Sequence, residues 1–429
     1  MNQTNIIIIG AGASGLMAAR ELASKNNKVT ILEAQDRIGG RIHTITGDSF
    51  AVPVELGAEF VHGELPLTLN LLKEAGIRYH PAGGKMWQSN ENDAEGPAPY
   101  MEHWGEFEEK LKALKEDMTI EAFLEENFKS DIYDGLKKSI HGYASGYDTA
   151  DPEKASALAL GKEWLKEEAG DTYRIEGGYA AMINFLADEC IKLQTEIHLS
   201  TIVKGIHWEK NKVVLHTTTG AVYKANKLII TIPPAVLLDG SVSFYPTIID
   251  KLDAFKKLGY GAVIKILFQF KTVFWEDEQI EKMVGKSLKD VGFIFSKQTI
   301  PTWWTQYPTK SALLTGWLGG PLAEKLKDAT DEEIFQLALN SLAAIFKMSV
   351  TYLRSMLIAN KVINWTAQSF IKGSYSYETL GGKAARTIIN TPVADTIYFA
   401  GEALNDDTVM GTVEAALASG FSVAKKIFL

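Results

Sequence analysis

The alternation of apolar and polar positions opens the chain on a β–α–β unit. Ile6 to Ile9 is an unbroken apolar run of strand length, a helical stretch follows through Leu22, and Val29-Thr30-Ile31-Leu32 is a second β-branched run. The period then lengthens. Met101, Trp104, Phe107, Leu111 and Leu114 recur at spacings of three and four, with lysines and glutamates between them, the pattern of amphipathic helices with a solvated charged face. Residues 171–240 are expected to return to sheet after Gly177-Gly178, with strands at Thr201–Val203, Lys212–Thr217 and Lys227–Ile232, the last closed by Pro233-Pro234. Beyond Ser241, strands around Lys265, Phe293 and Leu313 lead to a helix opened by a Thr330-to-Glu333 capping box. The chain closes with a strand through Tyr398-Phe399 and a helix from about Thr412.

The turn after the first strand changes this from architecture to chemistry. In Gly10-Ala11-Gly12-Ala13-Ser14-Gly15, Gly10 allows a tight strand-to-helix turn, Gly12 lets backbone amides approach a pyrophosphate, and Gly15 lets the helix pack closely on the sheet. The helix dipole then faces the phosphate charge. Glu33, at the end of the second strand and followed by Ala34, is placed to accept hydrogen bonds from both ribose hydroxyls. A 2′-phosphate would be repelled there, which disfavours NADP. Past that carboxylate, Gly39-Gly40-Arg41 suits a turn under a pyrophosphate with a cation beside it and shifts the expected cofactor from NAD to FAD.

Composition narrows the class. A chain of 429 residues exceeds one ordinary domain, and its 46% hydrophobic and 23% charged content is that of a globular protein with a large core. A single cysteine, Cys190, rules out an intrachain disulfide or cysteine-rich metal site; in its apolar helical stretch it reads as buried, and no metal site is expected. The nucleotide strand begins at Ile6, which leaves no room for a cleavable signal peptide. No apolar run reaches membrane-spanning length, and no anchor follows the last helix, so a cytoplasmic location is expected. A net charge of −9 argues against a nucleic-acid partner.

Residues 4 to 62 resemble the flavin-dependent amine oxidase superfamily, and Glu55-Leu56-Gly57-Ala58-Glu59-Phe60-Val61-His62-Gly63 is similar to its second flavin-contacting turn. The resemblance implies an α/β fold: a discontinuous Rossmann-like FAD-binding domain (1–80, 171–240 and 386–429) and an α+β substrate domain, helical over 81–170, with a mixed sheet and helices over 241–385. Val203 would place backbone against the adenine.

Lys265 is the only charge in the run Gly261 to Phe270. Read by itself, it is either a buried ammonium with a specific compensating partner or an edge-strand charge that discourages aggregation. The segment Lys265 to Trp275 resembles the family strand whose lysine is linked through water to flavin N5, which implies a role in the reaction of reduced flavin with oxygen. Trp365 followed by Gly373-Ser374-Tyr375-Ser376-Tyr377 is similar to the motif flanking the flavin. Tyr375 takes the position of an amine-guiding ring, and Ser374 falls where monoamine oxidases attach flavin through cysteine, which implies noncovalent FAD. Gly401-Glu402 through Gly411-Thr412-Val413 would bring a helix amino terminus to the flavin, with Thr412 where monoamine oxidases have a second cage tyrosine. His62 resembles a substrate-side histidine of animal polyamine oxidases. Glu59 and Glu64 either pair with distal ammonium groups or lie exposed. L-Amino-acid oxidases carry an arginine near Phe60, and none stands between Arg41 and Arg78.

The resemblance thus implies an FAD enzyme that oxidises an amine, polyamines or diamines leading, with O2 as acceptor and H2O2 released. The acidic charge suits cationic amines, although surface acid also serves solubility. Amino-acid or aromatic monoamine oxidation, desaturase or porphyrinogen oxidase chemistry, and noncatalytic flavin binding are the rival readings.

Overall fold

The computed structural model describes residues 4–47, 50–89, 102–165, 171–405 and 410–428. The Met101 position of the first helical pattern lies outside them. Its remainder forms the helix Trp104–Ala113.

The opening unit is β1 (Asn5–Ile9), α1 (Ala13–Ala23) and β2 (Lys28–Leu32). Around it runs a five-stranded sheet, all parallel, in the order Ile397–Phe399, Lys227–Ile230, β1, β2, Glu196–His198. Because side chains alternate across a strand, β1 feeds two cores. Ile6 and Ile8 pack with Leu16, Leu22, Ile183 and Leu417, while Ile7 and Ile9 pack with Leu228, Ile230 and Phe399. Each such fully buried side chain contributes about 1.5–3 kcal/mol.

Sheet does not resume directly after Gly177-Gly178. Gly178 caps the helix Tyr179–Lys192, whose buried Tyr179, Met182, Ile183, Leu186 and Cys190 carry the helical period through that stretch, and strand structure returns at Glu196. The expected Thr201 strand begins at Val203, and the Lys227 strand ends at Ile230. Pro234 then opens a short helix instead of only closing the strand, since a proline at the first helical position loses no hydrogen bond.

Helices α2 (Asp134–Gly146) and α3 (Ala157–Trp164) belong to a helical layer around Phe107, Phe123, Phe128, Ile140 and Leu160. The Ser156 hydroxyl caps α3 by accepting from the Ala159 amide at 3.0 Å.

The second large sheet has six strands, in the order Leu357–Asn364, β3 (Val263–Phe270), Leu313–Gly319, Thr302–Trp304, Val291–Ser296, Lys85–Ser89. All neighbours are antiparallel except the last pair. One face of β3 (Ile264, Ile266, Phe268, Phe270) packs against the Asp331–Ile345 helix, which opens on the Thr330 and Glu333 capping box. The other face carries Val263, Lys265 and Leu267 toward Val54, Leu56 and Trp365. β3 is interior to the sheet, so Lys265 is not an edge-strand charge. Among the described residues no single helix is long and apolar enough to cross a membrane, and no group of three acidic, histidine or cysteine side chains could hold a metal ion.

Candidate active site

A cavity of about 2060 Å³ runs from the carboxyl ends of β1 and β2 to the inner face of the six-stranded sheet and the ends of α2 and α3. That exceeds the ~300–1,000 Å³ of a pocket for one small ligand and leaves room for a dinucleotide and a substrate together. Of the residues singled out in the sequence, Gly10, Gly12, Ala13, Ser14, Glu33, Ala34, Gly40, Arg41, Gly57, Ala58, Glu59, His62, Val203, Lys265, Trp365, Tyr375, Gly401, Glu402, Thr412 and Val413 all line it. Gly15 lies beneath the wall, where an added Cβ would stand 2.0 Å from the Gly10 carbonyl oxygen.

The end nearest β1 suits an anionic group. Gly12 caps α1, where an added Cβ would meet the Gly39 carbonyl oxygen at 3.9 Å, and the Ser14 hydroxyl is buried with no hydrogen-bond partner among the described residues. A buried hydroxyl without a partner at a helix amino terminus is what a phosphate oxygen would satisfy. Glu33 is 5% exposed and accepts from the amides of Ala11 at 2.7 Å and Gln35 at 2.8 Å. A carboxylate has about four acceptor sites, so capacity remains for two hydroxyls. Burial raises its pKa, against the pull of those amides.

Arg37 ties down the glycine turn by donating to the carbonyls of Ile38, Gly40 and Ile42. Arg41 reaches across it to the Ser374 carbonyl at 2.7 Å and the Glu402 carboxylate at 2.8 Å. Although burial opposes its charge, Tyr260 and Glu402 beside it hold the guanidinium above its ordinary pKa. Glu402 is the hub of this corner, also accepting from the Ser376 hydroxyl and the Gly411 amide. The Trp365 indole donates to the Leu56 carbonyl at 2.8 Å, and Gly57 is packed so tightly that a Cβ would lie 1.8 Å from the Arg41 carbonyl oxygen.

The compensating partner of Lys265 is Glu59. The ammonium is 1% exposed, sits 2.7 Å from Glu59 Oε2 and 3.2 Å from the Gly57 carbonyl, and lies 5.4 Å from the Trp304 ring centre. Glu59 Oε1 in turn accepts from Arg174 Nη2 at 3.1 Å and from the Trp304 indole at 3.0 Å. Burial alone would raise the Glu59 pKa, but Lys265 and Arg174 hold it below the usual carboxylate range. Glu59 is therefore neither exposed nor free to take an ammonium; it is committed to two cations inside the protein. Glu64, by contrast, is exposed at the cavity.

Arg174 is not among the residues singled out in the sequence. It stacks over Phe60 at 4.7 Å, so an arginine does stand near that residue in space, but its donors are taken by Glu59 and the carbonyls of Thr305 and Tyr307. Its sequence clue is a single charge inside the short strand Thr172–Ile175.

At the substrate end, the Tyr375 hydroxyl donates to the Tyr147 carbonyl. Ser374 bonds the Thr149 hydroxyl at 2.7 Å. Cys190 is off the cavity wall, its thiol buried and donating to the Leu16 carbonyl, so it is not available to a cofactor. His62 is wetted by the cavity yet enclosed by protein, and that enclosure lowers its pKa. Its Nδ1 lies 3.3 Å from the Thr172 hydroxyl, and its ring stands 6.1 Å from Tyr147.

Comparison with known proteins bears on the fold and the family. The chain is 27% identical to Polyamine oxidase 4 of Oryza sativa subsp. japonica, over 98% of this chain and 88% of that protein. It is 29% identical to Lysine-specific histone demethylase 2 of Homo sapiens, over 99% of this chain but only 53% of the longer relative. Among solved structures, putrescine oxidase bound to putrescine superposes with a TM-score of 0.80 at 19% identity, covering 100% of this chain and 99% of that one. Cyclohexylamine oxidase from Brevibacterium oxydans IH-35A gives 0.78 at 21%, covering 99% of each. Residues 13–428 match the family described as flavin containing amine oxidoreductase, and the chain belongs to that family of FAD enzymes.

Proposed function

We propose that this enzyme oxidises a diamine or polyamine at the carbon next to nitrogen, with O2 as the electron acceptor. When bound, FAD supplies the two-electron acceptor for the amine. The substrate carbon–nitrogen single bond gives up two electrons and two protons to become an imine, which water hydrolyses to an aldehyde and either ammonia or an amine, and O2 takes up two electrons and two protons and leaves as H2O2.

The observation that carries this reading is the placement of Lys265 and Tyr375 on the wall of the cavity that also reaches the Gly10–Gly15 turn. The chain's own residues do four things there. Ser14, Glu33 and Arg41 hold the dinucleotide's polar groups, and Val203, Gly57, Ala58, Trp365 and the Gly401–Glu402 and Thr412–Val413 segments shape the space around it. Lys265, kept in place by Glu59, presents a fixed positive charge in a water-poor wall, where it would stabilise charge developing on reduced oxygen. The Tyr375 ring orients the reacting amine, and burial keeps its hydroxyl protonated by raising its pKa well above the ordinary value. Enclosure favours the neutral imidazole of His62, which suits a hydrogen-bond acceptor toward substrate.

An amine panel read out by peroxide tests the proposal, spanning putrescine, spermidine, N-acetylated polyamines, aromatic monoamines and amino acids. The expected result is turnover fastest with a diamine or polyamine. A yellow, FAD-loaded enzyme that releases no peroxide from any of them refutes it.

A further inference from the structure

The charges behind the cavity wall do not cancel. Glu59 stands between two cations, with Oε2 on Lys265 at 2.7 Å and Oε1 on Arg174 Nε at 3.2 Å and Nη2 at 3.1 Å. All three side chains are buried. Two positive groups and one carboxylate leave this network with one net positive charge in a water-poor wall. The ionisable groups around it do not remove that charge. Glu55, which interacts electrostatically with both Lys265 and Glu59, is raised to about 7 by burial and is therefore mostly protonated at pH 6. His62 is held neutral by enclosure, and Glu402 has Arg41 as its own partner.

Arg174 is the cation in excess. Lys265 and Glu59 line the cavity, whereas Arg174 is not among its lining residues and sits behind them. It belongs to Thr172–Ile175, the central strand of a three-stranded sheet with Val61–His62 and Tyr79–Pro81. The carbonyls of Thr305 and Tyr307, each at 2.9 Å, and the Phe60 ring at 4.7 Å hold the guanidinium in a fixed orientation. For stability alone the Lys265–Glu59 pair is already balanced, and a second buried cation adds a desolvation cost. What it adds in return is field. A neutral ion pair acts only as a dipole, while a network with one unit of net charge acts at longer range in a poorly screened site.

We propose that Arg174 is a positioning residue for the redox chemistry, acting through Glu59. It engages the carboxylate from behind, so that the charge of Lys265 is not cancelled at the cavity surface, and it gives the wall a net positive charge that favours electrons arriving on the flavin and on oxygen. The oxygen part rests on the oxidase reading; the effect on the flavin's electron affinity does not require it.

The test uses holoenzyme at pH 6. The flavin midpoint potential is measured by equilibrium reduction against a reference dye, and the oxygen reaction by stopped flow after reduction with dithionite, so that no amine is needed. Arg174→Gln removes the net charge. It should lower the equilibrium constant for two-electron reduction by on the order of ten-fold, a fall of about 30 mV, and slow reoxidation by a similar factor, the worth of one unit charge at an effective dielectric of about 20. Arg174→Lys keeps the charge without the planar fork and should hold both values within about three-fold. Glu59→Gln takes a negative charge from the same network and must not lower the potential. Damage to packing would not separate the two glutamine variants by sign. An unchanged potential in Arg174→Gln, or an equal fall in Glu59→Gln, overturns the proposal. If Arg174→Gln does not retain FAD, the double variant Glu59→Gln/Arg174→Gln decides, because Lys265 then supplies the single net charge: a potential closer to the wild type than to Lys265→Met supports the proposal, and one closer to Lys265→Met refutes it. If reduced wild type does not react with oxygen, the oxidase reading fails, and the opposed potential shifts still decide the charge assignment.

Discussion

Replacing Glu59 by glutamine tests the central claim about the cavity wall, that one carboxylate holds two buried cations. Unit charges 2.7 Å apart attract by about 6 kcal/mol at an effective dielectric of 20, and the pair with Arg174 at 3.1 Å adds about 5. Most of this is offset by the desolvation of three charged groups. The measurable quantity is the cost of breaking the set, about 3–5 kcal/mol when one partner of a buried pair is removed. Glu59→Gln strands both Lys265 and Arg174. Lys265→Met leaves Glu59 with Arg174 and the Trp304 indole and should cost less. In the double variant only Arg174 is stranded, so the combined loss should fall short of the sum by about 2 kcal/mol. Urea unfolding of the holoenzyme, followed by tryptophan fluorescence and flavin release together, reads the cycle. Additivity within about 0.5 kcal/mol would show that Glu59 and Lys265 are not coupled and would refute the reasoning.

Lys265→Met should slow reoxidation of reduced flavin by on the order of a hundred-fold while leaving anaerobic reduction by amine nearly unchanged; stopped-flow traces in which both half-reactions slow alike would retire its role toward oxygen. Ser14→Ala should weaken FAD binding by about ten-fold, the worth of one hydrogen bond to a charged group, and an unchanged FAD Kd would sink the phosphate assignment. Gly15→Ala forces a Cβ to 2.0 Å from the Gly10 carbonyl and should cost about 1–3 kcal/mol through displacement of α1, read as a lower thermal midpoint; a midpoint equal to that of the wild type contradicts the packing. Glu55 is raised to about 7 by burial, with the Tyr179 amide and Lys265 opposing. Its folded pKa therefore exceeds its unfolded value of 4.5, so its contribution is fully present below that value and is lost as pH rises through about 7. The ceiling on this loss is about 3 kcal/mol. Denaturation midpoints should fall from pH 5 to pH 8, and Glu55→Gln should flatten the slope; parallel slopes would refute it.

The sequence by itself determined the β–α–β unit, the glycine turn, the Glu33 position, the strand at Lys265 and the capping box at Thr330. Each depends on sterics and hydrogen bonding among neighbours in the chain, and such rules can be read from contiguous residues. It also marked Lys265 as anomalous, because one charge in an apolar strand needs a partner. It could not say which partner. Glu59 is 206 residues away and Arg174 a further 115 from Glu59, and they meet only because Lys265 falls on the face of β3 that turns toward Val54 and Leu56. Sequence patterning also places Cys190 in a helical stretch but misses the start of that helix at Gly178, where a return to sheet is expected, and it finds no motif in the helical residues 81–170. A charged side chain acquires meaning from what surrounds it, and that is a property of packing. Local order was encoded locally. The pairing of charges across the cavity was decided by sheet register and by the closing of two distant layers over one space.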